Sequence, residues 1–449
     1  MRENSRSWSL LLLASVSAAG YAYLASLGRL DVRAPELIGV WLSLSVVYLV
    51  SAFLILRARP NRRLLWGVWA GALVFRALLL PVTPALSEDL FRYRWQGQVQ
   101  AAGGNPYLAR PEEPRWSSLR DETYPWVNRK DLASVYGPAL ELTHLVGYRV
   151  FAVVTDDPFR QAYLFRLPYA LLDLGVGLAV MGLLGALGLA RERVLLYLWS
   201  PLPIIELWAQ GHNDPLAVLP VVLAVWAAVR ARWGWAFAAL GFAVMVKFWP
   251  IVLFPFFLLR REEGVWRFRW KQGLAAVPVM ALAAAPYAST LAHVTELLAG
   301  FIGGWRNNDS LFGLIWEWAG RDYARATALV QRFLLAALAA LWASQLRLPR
   351  AVLWAPVVLL LFSANVFPWY LLWFLPFLAV HPHPSLLLWT ALVALQYQTL
   401  TPYTILGEWR YVEGSEWLEY LPVFALMLWE AGRALVHRKA ESGVRAVRG

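Results

Sequence analysis

Residues 230–261 read RARWGWAFAALGFAVMVKFWPIVLFPFFLLRR. Arg230 and Arg232 open the stretch, Arg260 and Arg261 close it, and Lys247 is the single charge between them. Arginines in short loops between apolar runs mark one side of a bilayer, so both ends of this stretch belong on the same side. About 28 residues then remain for crossing twice, whereas two full membrane helices need roughly 40. The stretch is expected to form two short or broken helices meeting near Lys247 and Pro250. Non-helical backbone at membrane depth is tolerated where it is buried in protein or lines a wet cavity.

Apolar runs recur on either side of it, at 8–27, 37–56, 64–82, 163–187, 194–210, 215–229, 272–288, 326–346, 351–365, 369–380, 385–400 and 421–436. The chain is 59% hydrophobic and only 16% charged, against about 25% charged residues in a soluble domain. Its 26 tryptophans suit two membrane interfaces. The expected fold is therefore all-α: one polytopic helical bundle over residues 1–449, with about 12–14 transmembrane segments. The polar stretch 85–161 is expected to be a long first extracytoplasmic loop carrying interfacial helices, one of them at 138–154. Further outer loops are expected at 290–325 and 401–420. The absence of cysteine excludes disulfides, thiolate metal sites and cysteine nucleophiles.

The net charge of +12 does not call for nucleic acid once its distribution is mapped. With the N-terminus inside, the short inner loops and the tail hold twenty basic residues, among them Arg57, Arg59, Arg62, Arg63, Arg191, Arg193, Arg230, Arg232, Arg438 and Lys439, against four acids. The opposite loop 401–420 has Arg410 against Glu408, Glu413, Glu416 and Glu419. The expected arrangement is a multi-pass protein of the cell's inner or plasma membrane, both termini cytoplasmic.

That orientation puts a set of polar motifs on the outer side: Ser87-Glu88-Asp89, Gly211-His212-Asn213-Asp214, Lys247, Trp305-Arg306-Asn307-Asn308-Asp309 and Phe367-Pro368-Trp369-Tyr370. Ionisable groups beside membrane spans are costly and usually functional, so a shared outer cavity is the economical reading; ordinary interfacial loops are the plain one. Glu88 and Asp89 suit a general base, and equally an N-cap for a helix beginning at Leu90. Arg92, Lys247 and Arg306 are candidate phosphate partners, a snorkelling lysine being the alternative for Lys247. His212 beside Asp214 is not a metal-ligand set, and no metal site is assigned. The acid pair is compatible with a divalent cation and with chemistry that uses none, and no other cofactor is indicated.

The run Ser87 to Gly97, then Gly104-Asn105-Pro106-Tyr107, resembles the first outer loop of bacterial GT-C glycosyltransferases, and most of all the polyprenol-phosphate-sugar-dependent mannosyltransferases and their family 87 relatives. Val135-Tyr136-Gly137-Pro138, Gly211-His212-Asn213-Asp214, Val246-Lys247-Phe248-Trp249-Pro250 and Phe367-Pro368-Trp369-Tyr370 extend the resemblance in order to about residue 376. Gly137 and Glu88 stand where relatives often have Pro and Asp, and two spans precede the loop instead of one. The resemblance implies inverting transfer of a sugar, mannose above all, from a polyprenyl-phosphate donor to a glycan or lipid-linked acceptor at the outer face. The residues fit that reaction: Asp89 is the expected base with Glu88 assisting or positioning, and Lys247, Arg306 and Arg92 are the expected partners of the donor phosphate. Substrate contacts then fall to Tyr93, Asn105, Tyr107, Tyr136, His212, Asn213, Asp214, Asn308, Trp369 and Tyr370. A transporter or flippase of lipid-linked sugars is the rival class, disfavoured because only 233–259 reads as broken; a non-catalytic partner in envelope assembly is a third reading.

Overall fold

The computed structural model describes residues 2–290, 293, 305–408 and 414–448. Residues 291–292 and 294–304 of the expected 290–325 loop, and 409–413 of the 401–420 loop with Arg410 and Glu413, lie outside the described residues. The protein is an all-α polytopic membrane protein. Among the described residues five helices are long and apolar enough to cross a bilayer: Trp8–Ser26, Ala34–Leu56, Pro158–Ala186, Trp270–Thr290 and Tyr323–Ala343. Four shorter apolar helices join them: Pro215–Val229, Trp233–Val246, Trp249–Leu258 and Leu348–Leu361.

The N-terminal helices α1 (Arg2–Ser26), α2 (Ala34–Leu56) and α3 (Arg62–Leu79) lie close to the expected runs. They turn Leu24, Trp41, Tyr48 and Phe75 inward while Leu12, Phe53 and Leu73 stay exposed, the division a lipid-facing layer requires. The polar stretch that follows contains α4 (Asp89–Ala101) and α5 (Pro138–Val154), linked by short 3-10 turns. Arg92 and Arg94 pin its irregular part. Arg92 donates to the carbonyls of Asn128 (3.2 Å), Arg129 (3.1 Å) and Leu132 (2.6 Å). Arg94 donates to Asp121 at 2.7 Å and Gln161 at 2.9 Å. Buried arginines satisfied in this way can rigidify a loop that has no sheet or long helix of its own.

The stretch 233–259 is broken, as expected. Helix Trp233–Val246 ends at Lys247, a 3-10 turn covers Trp249–Leu253, and a short helix Phe254–Leu258 completes the return. The connection beyond it is an antiparallel hairpin, Leu259–Glu262 with Val265–Phe268, where a plain loop was expected.

Two expected spans are corrected. The run 194–210 is not a single helix: it passes through Leu195–Leu198, Pro201–Pro203 and a π-helical segment Ile204–Ala209. Pro201 and Pro203 lack backbone donors and interrupt any continuous ladder. The segment tolerates this because Val194 to Pro215 is buried throughout. The 369–380 run is likewise a 3-10 turn, Pro368–Trp373, followed by the short helix Leu375–Leu378. Broken segments are thus not confined to 233–259, and that ground for disfavouring a transporter falls away.

A fully buried ion pair ties the central segment to its neighbours. Arg76 Nε of α3 donates to Asp173 Oδ2 at 2.6 Å, and a second guanidinium N–H donates to the Leu198 carbonyl at 2.7 Å. Asp173, on the helix Arg166–Ala186, also accepts from Tyr197 (2.7 Å) and Trp208 (2.9 Å). Its charge is paired and its oxygens filled, the condition under which burying ions is tolerable.

Candidate active site

A cavity of about 1670 Å³ opens where α4, the end of helix Trp233–Val246 and the turn Pro368–Trp373 converge. Glu88, Asp89, Arg92, Tyr93, Tyr136, Asn213, Lys247, Trp369 and Tyr370 line it, so nine of the sequence candidates share one wall system. His212 and Asp214 lie directly behind that wall. Asn105, Tyr107, Arg306 and Asn308 are not brought to it.

Asp89 is the first residue of α4, where its carboxylate meets the positive end of the helix. Oδ1 accepts from Asn128 at 2.9 Å, and Oδ2 lies 3.4 Å from the Tyr93 hydroxyl and 3.6 Å from His212 Nδ1. Its side chain retains 21% exposure, and that exposed part faces the cavity. Burial works to raise its pKa, but His212, Asn128 and Lys247 prevail and hold it below the ordinary carboxylate range. Glu88 goes the other way: burial raises its pKa against the pull of Lys130, with the Tyr403 hydroxyl 3.4 Å away. Neighbouring carboxyls with opposite displacements have different proton affinities, which separates a ready base from a group able to keep a proton.

His212 owes its place to Gly211, whose φ of +82° turns the chain sharply; a Cβ there would stand 2.4 Å from the Arg166 Cβ. The imidazole stacks on Trp369 with centroids 3.7 Å apart, and Trp369 stacks in turn on Phe367 at 4.6 Å. Its Nε2 lies 3.3 Å from Glu206 Oε2. Burial opposes the charged ring, yet Asp89 and Glu206 on its two sides raise its pKa to about 9. A second stack runs Tyr370–Trp373–Trp249, with spacings of 4.7 and 4.9 Å.

Lys247 stands where helix Trp233–Val246 stops. Its Nζ is 2.7 Å from Asp214 Oδ1 and 5.9 Å from the centre of the Tyr370 ring. Gly137 fixes the approach of the 85–161 stretch to this point: its N–H donates to the Val246 carbonyl at 3.1 Å, and a Cβ would meet the Met245 carbonyl at 2.2 Å. A side chain there would push the loop carrying Tyr136 off the lysine-bearing turn.

The remaining candidates are engaged elsewhere. Arg92 lines the cavity but spends three hydrogen bonds on the carbonyls of the 128–132 loop. Arg306 is paired with Asp309 at 2.9 Å and lies 4.0 Å over Trp316. Asn308 donates to Glu419, Asn105 to Thr290, and the Tyr107 hydroxyl to the Tyr136 carbonyl. Sequence reasoning passed over Glu206, Asn128, Lys130, Trp373 and Tyr397. Glu206 did carry a signal, as the one acid inside the apolar run 194–210. Among the described residues no group of three or more His, Asp or Glu side chains is arranged to hold a metal ion.

A helical membrane protein with an acid pair, a lysine and stacked aromatic rings around one cavity has the equipment of a membrane glycosyltransferase. Residues 10–261, over half of the chain, match the MptA_B family, alpha-(1->6)-mannopyranosyltransferase, N-terminal domain, and the chain belongs to that family. No curated protein and no solved structure matches the chain significantly. The family makes the protein a glycosyltransferase acting on mannose, in keeping with the GT-C, family 87-like resemblance of its motifs.

Proposed function

We propose that the cavity transfers mannose from a polyprenyl-phosphate donor to a hydroxyl of a glycan or lipid-linked acceptor, at the outer face of the plasma membrane, with inversion. The observation that carries this reading is that Asp89 and Lys247 share one cavity, the first with a carboxylate held ionised and partly open, the second with a cation at the end of a broken helix. The acceptor hydroxyl gives its proton to Asp89 as its oxygen bonds to the anomeric carbon. The bond from that carbon to the donor phosphate breaks, its electron pair leaving with the phosphate beside Lys247. General-base help of this kind is worth roughly 10²–10⁴-fold, and charge stabilisation of the leaving group roughly 10²–10³-fold.

The rest of the cavity suits the two substrates. Trp369, Tyr370 and Trp373 offer flat faces for sugar rings. Val330, Leu334, Leu359 and Phe362, from the helices Tyr323–Ala343 and Leu348–Leu361 and just beyond, give an apolar wall for a polyprenyl tail. No step here is routed through a metal ion.

The donor is tested by supplying membranes that contain the protein with radiolabelled polyprenyl-phosphate mannose or with a radiolabelled nucleotide mannose, after depleting the endogenous lipid carrier. Label should reach product from the lipid donor alone. Equal transfer from the nucleotide sugar would contradict the proposal.

A further inference from the structure

We propose that Glu206 is a positioning residue for this site: through the imidazolium of His212 it fixes the ionised Asp89 carboxylate beside the cavity. Glu206 is completely buried, on the π-helical segment Ile204–Ala209, in the middle of an apolar stretch. Isolated π turns recur at functional sites because they re-aim a side chain that a regular helix would direct elsewhere. Here the turn closes on the very residue it serves: the His212 N–H donates to the Glu206 carbonyl at 3.1 Å.

The side chains form a line. Glu206 Oε1 accepts from the Tyr397 hydroxyl at 2.7 Å, and Oε2 faces His212 Nε2 at 3.3 Å. On the other side of the ring, Nδ1 faces Asp89 Oδ2 at 3.6 Å, and the ring itself is held flat against Trp369. A neutral imidazole has one N–H and serves one carboxylate; an imidazolium has two and serves both. With a neutral ring, either Glu206 Oε2 would be buried with no donor facing it, at the cost that burial of an unpaired charge carries, or Asp89 Oδ2 would keep only the Tyr93 hydroxyl at 3.4 Å and the open cavity.

The other charged or titratable groups around the ring leave that arrangement intact. Tyr93 bonds to Asp89, Tyr397 bonds to Glu206, Lys247 is paired with Asp214, and Arg166 packs against Gly211 while donating to the Val82 carbonyl. The direction of the His212 shift agrees with the geometry. Glu206 does not line the cavity: it reaches Asp89 through His212, and its other contact on this side is Tyr397, which lines the cavity.

The inference rests on Asp89 being the base, and the experiment separates the two ideas. Mannose transfer by the full-length protein in proteoliposomes is measured across pH for the wild type, Glu206→Gln and Asp89→Asn. The wild-type profile should hold to about pH 9, where His212 loses its proton. In Glu206→Gln the alkaline limb should move down by about one pH unit or more, because a neutral amide no longer favours the imidazolium. A drop in rate at every pH with an unmoved alkaline limb would reduce Glu206 to a packing role and overturn the inference. If Asp89→Asn transfers as well as the wild type, the base assignment fails and this inference with it. A second measurement needs no variant: ¹⁵N NMR of the six histidines of the wild-type protein in detergent at pH 8, where an ordinary histidine is neutral. One imidazolium signal should persist, and its absence would overturn the inference.

Discussion

Lys247 Nζ and Trp373 Nε1 converge on the same oxygen, Asp214 Oδ1, at 2.7 and 2.8 Å. Asp214 is fully buried and Lys247 is 14% exposed, so the carboxylate anchors the ammonium from behind and leaves its other N–H donors directed at the cavity. The pair is neutral until a substrate adds its own negative charge. That relationship makes the lysine a fixed cation beside the cavity, as the proposed phosphate leaving group needs, instead of a mobile surface cation. Lys247→Ala should lower mannose transfer by about 10²–10³-fold at saturating acceptor, since it removes a cation aimed at a leaving group. Lys247→Arg should fall between, because the wider guanidinium keeps the charge and loses the fit. Steady-state transfer assays read both, and an unimpaired Lys247→Ala would remove the lysine from the mechanism.

The acid limb of the rate profile should lie low. Asp89 must be ionised to act as base, and its pKa is depressed, so activity is present above that pKa and lost only as pH falls through it. Transfer should therefore persist below pH 5 for as long as the protein stays folded. A half-maximal rate near pH 7 on the acid side would mean that a different group sets the limb.

Trp369 has His212 on one face and Phe367 on the other, so its removal affects two things at once. Trp369→Ala should raise the KM for sugar substrates and lower kcat, each by about 5–10-fold, given aromatic stacking worth about 1 kcal/mol. Trp369→Phe should recover most of kcat, because a ring still supports the imidazole. Separate kcat and KM determinations distinguish these outcomes.

Much of this arrangement was legible in the sequence, for identifiable reasons. The breaks at Lys247 and Pro250 followed from arginine positions and length alone, and the helix at 138–154 falls where its apolar content put it. Glu88, Asp89, Lys247, Trp369 and Tyr370 are marked by their chemistry at helix ends and Tyr136 by the family resemblance, and all six share the cavity. The break in 194–210 is not visible to hydropathy alone: Pro201, Pro203 and the lone acid Glu206 are its signals in the sequence, whereas nothing there marks the π turn itself. Arg306 and Asn308 were placed by their outer-side position, which does not reveal that Asp309 and Glu419 take up their donors. The Asn308–Glu419 partnership is a long-range property, whereas Asp309 stands three residues from Arg306 in the same motif.

The buried pair Arg76–Asp173 carries a stability prediction. Asp173→Asn or Arg76→Met alone leaves one charge buried without its partner, which costs about 3–5 kcal/mol. Each should lower the thermal midpoint in detergent sharply. The double variant Arg76→Met with Asp173→Leu should recover most of the loss, as an apolar pair replaces two ions. Thermal unfolding of the purified protein measures this, and equal damage in the single and double variants would contradict it.

The side of the membrane can be read on this cysteine-free chain. Lys130 lines the cavity mouth and donates to the Pro125 carbonyl, away from any helix core. Lys130→Cys should react with a membrane-impermeant maleimide added to intact cells. Labelling only after the cytoplasmic side is opened would reverse the proposed orientation.

The most direct test of the central claim is mannose transfer by Asp89→Asn, an isosteric change that keeps an oxygen able to accept from Asn128 and removes the base. With correct insertion verified by yield and thermal midpoint, its rate should fall by about 10²–10⁴-fold while the KM for the lipid donor changes little. Transfer at the wild-type rate would contradict the assignment of Asp89 as the group that takes the acceptor's proton.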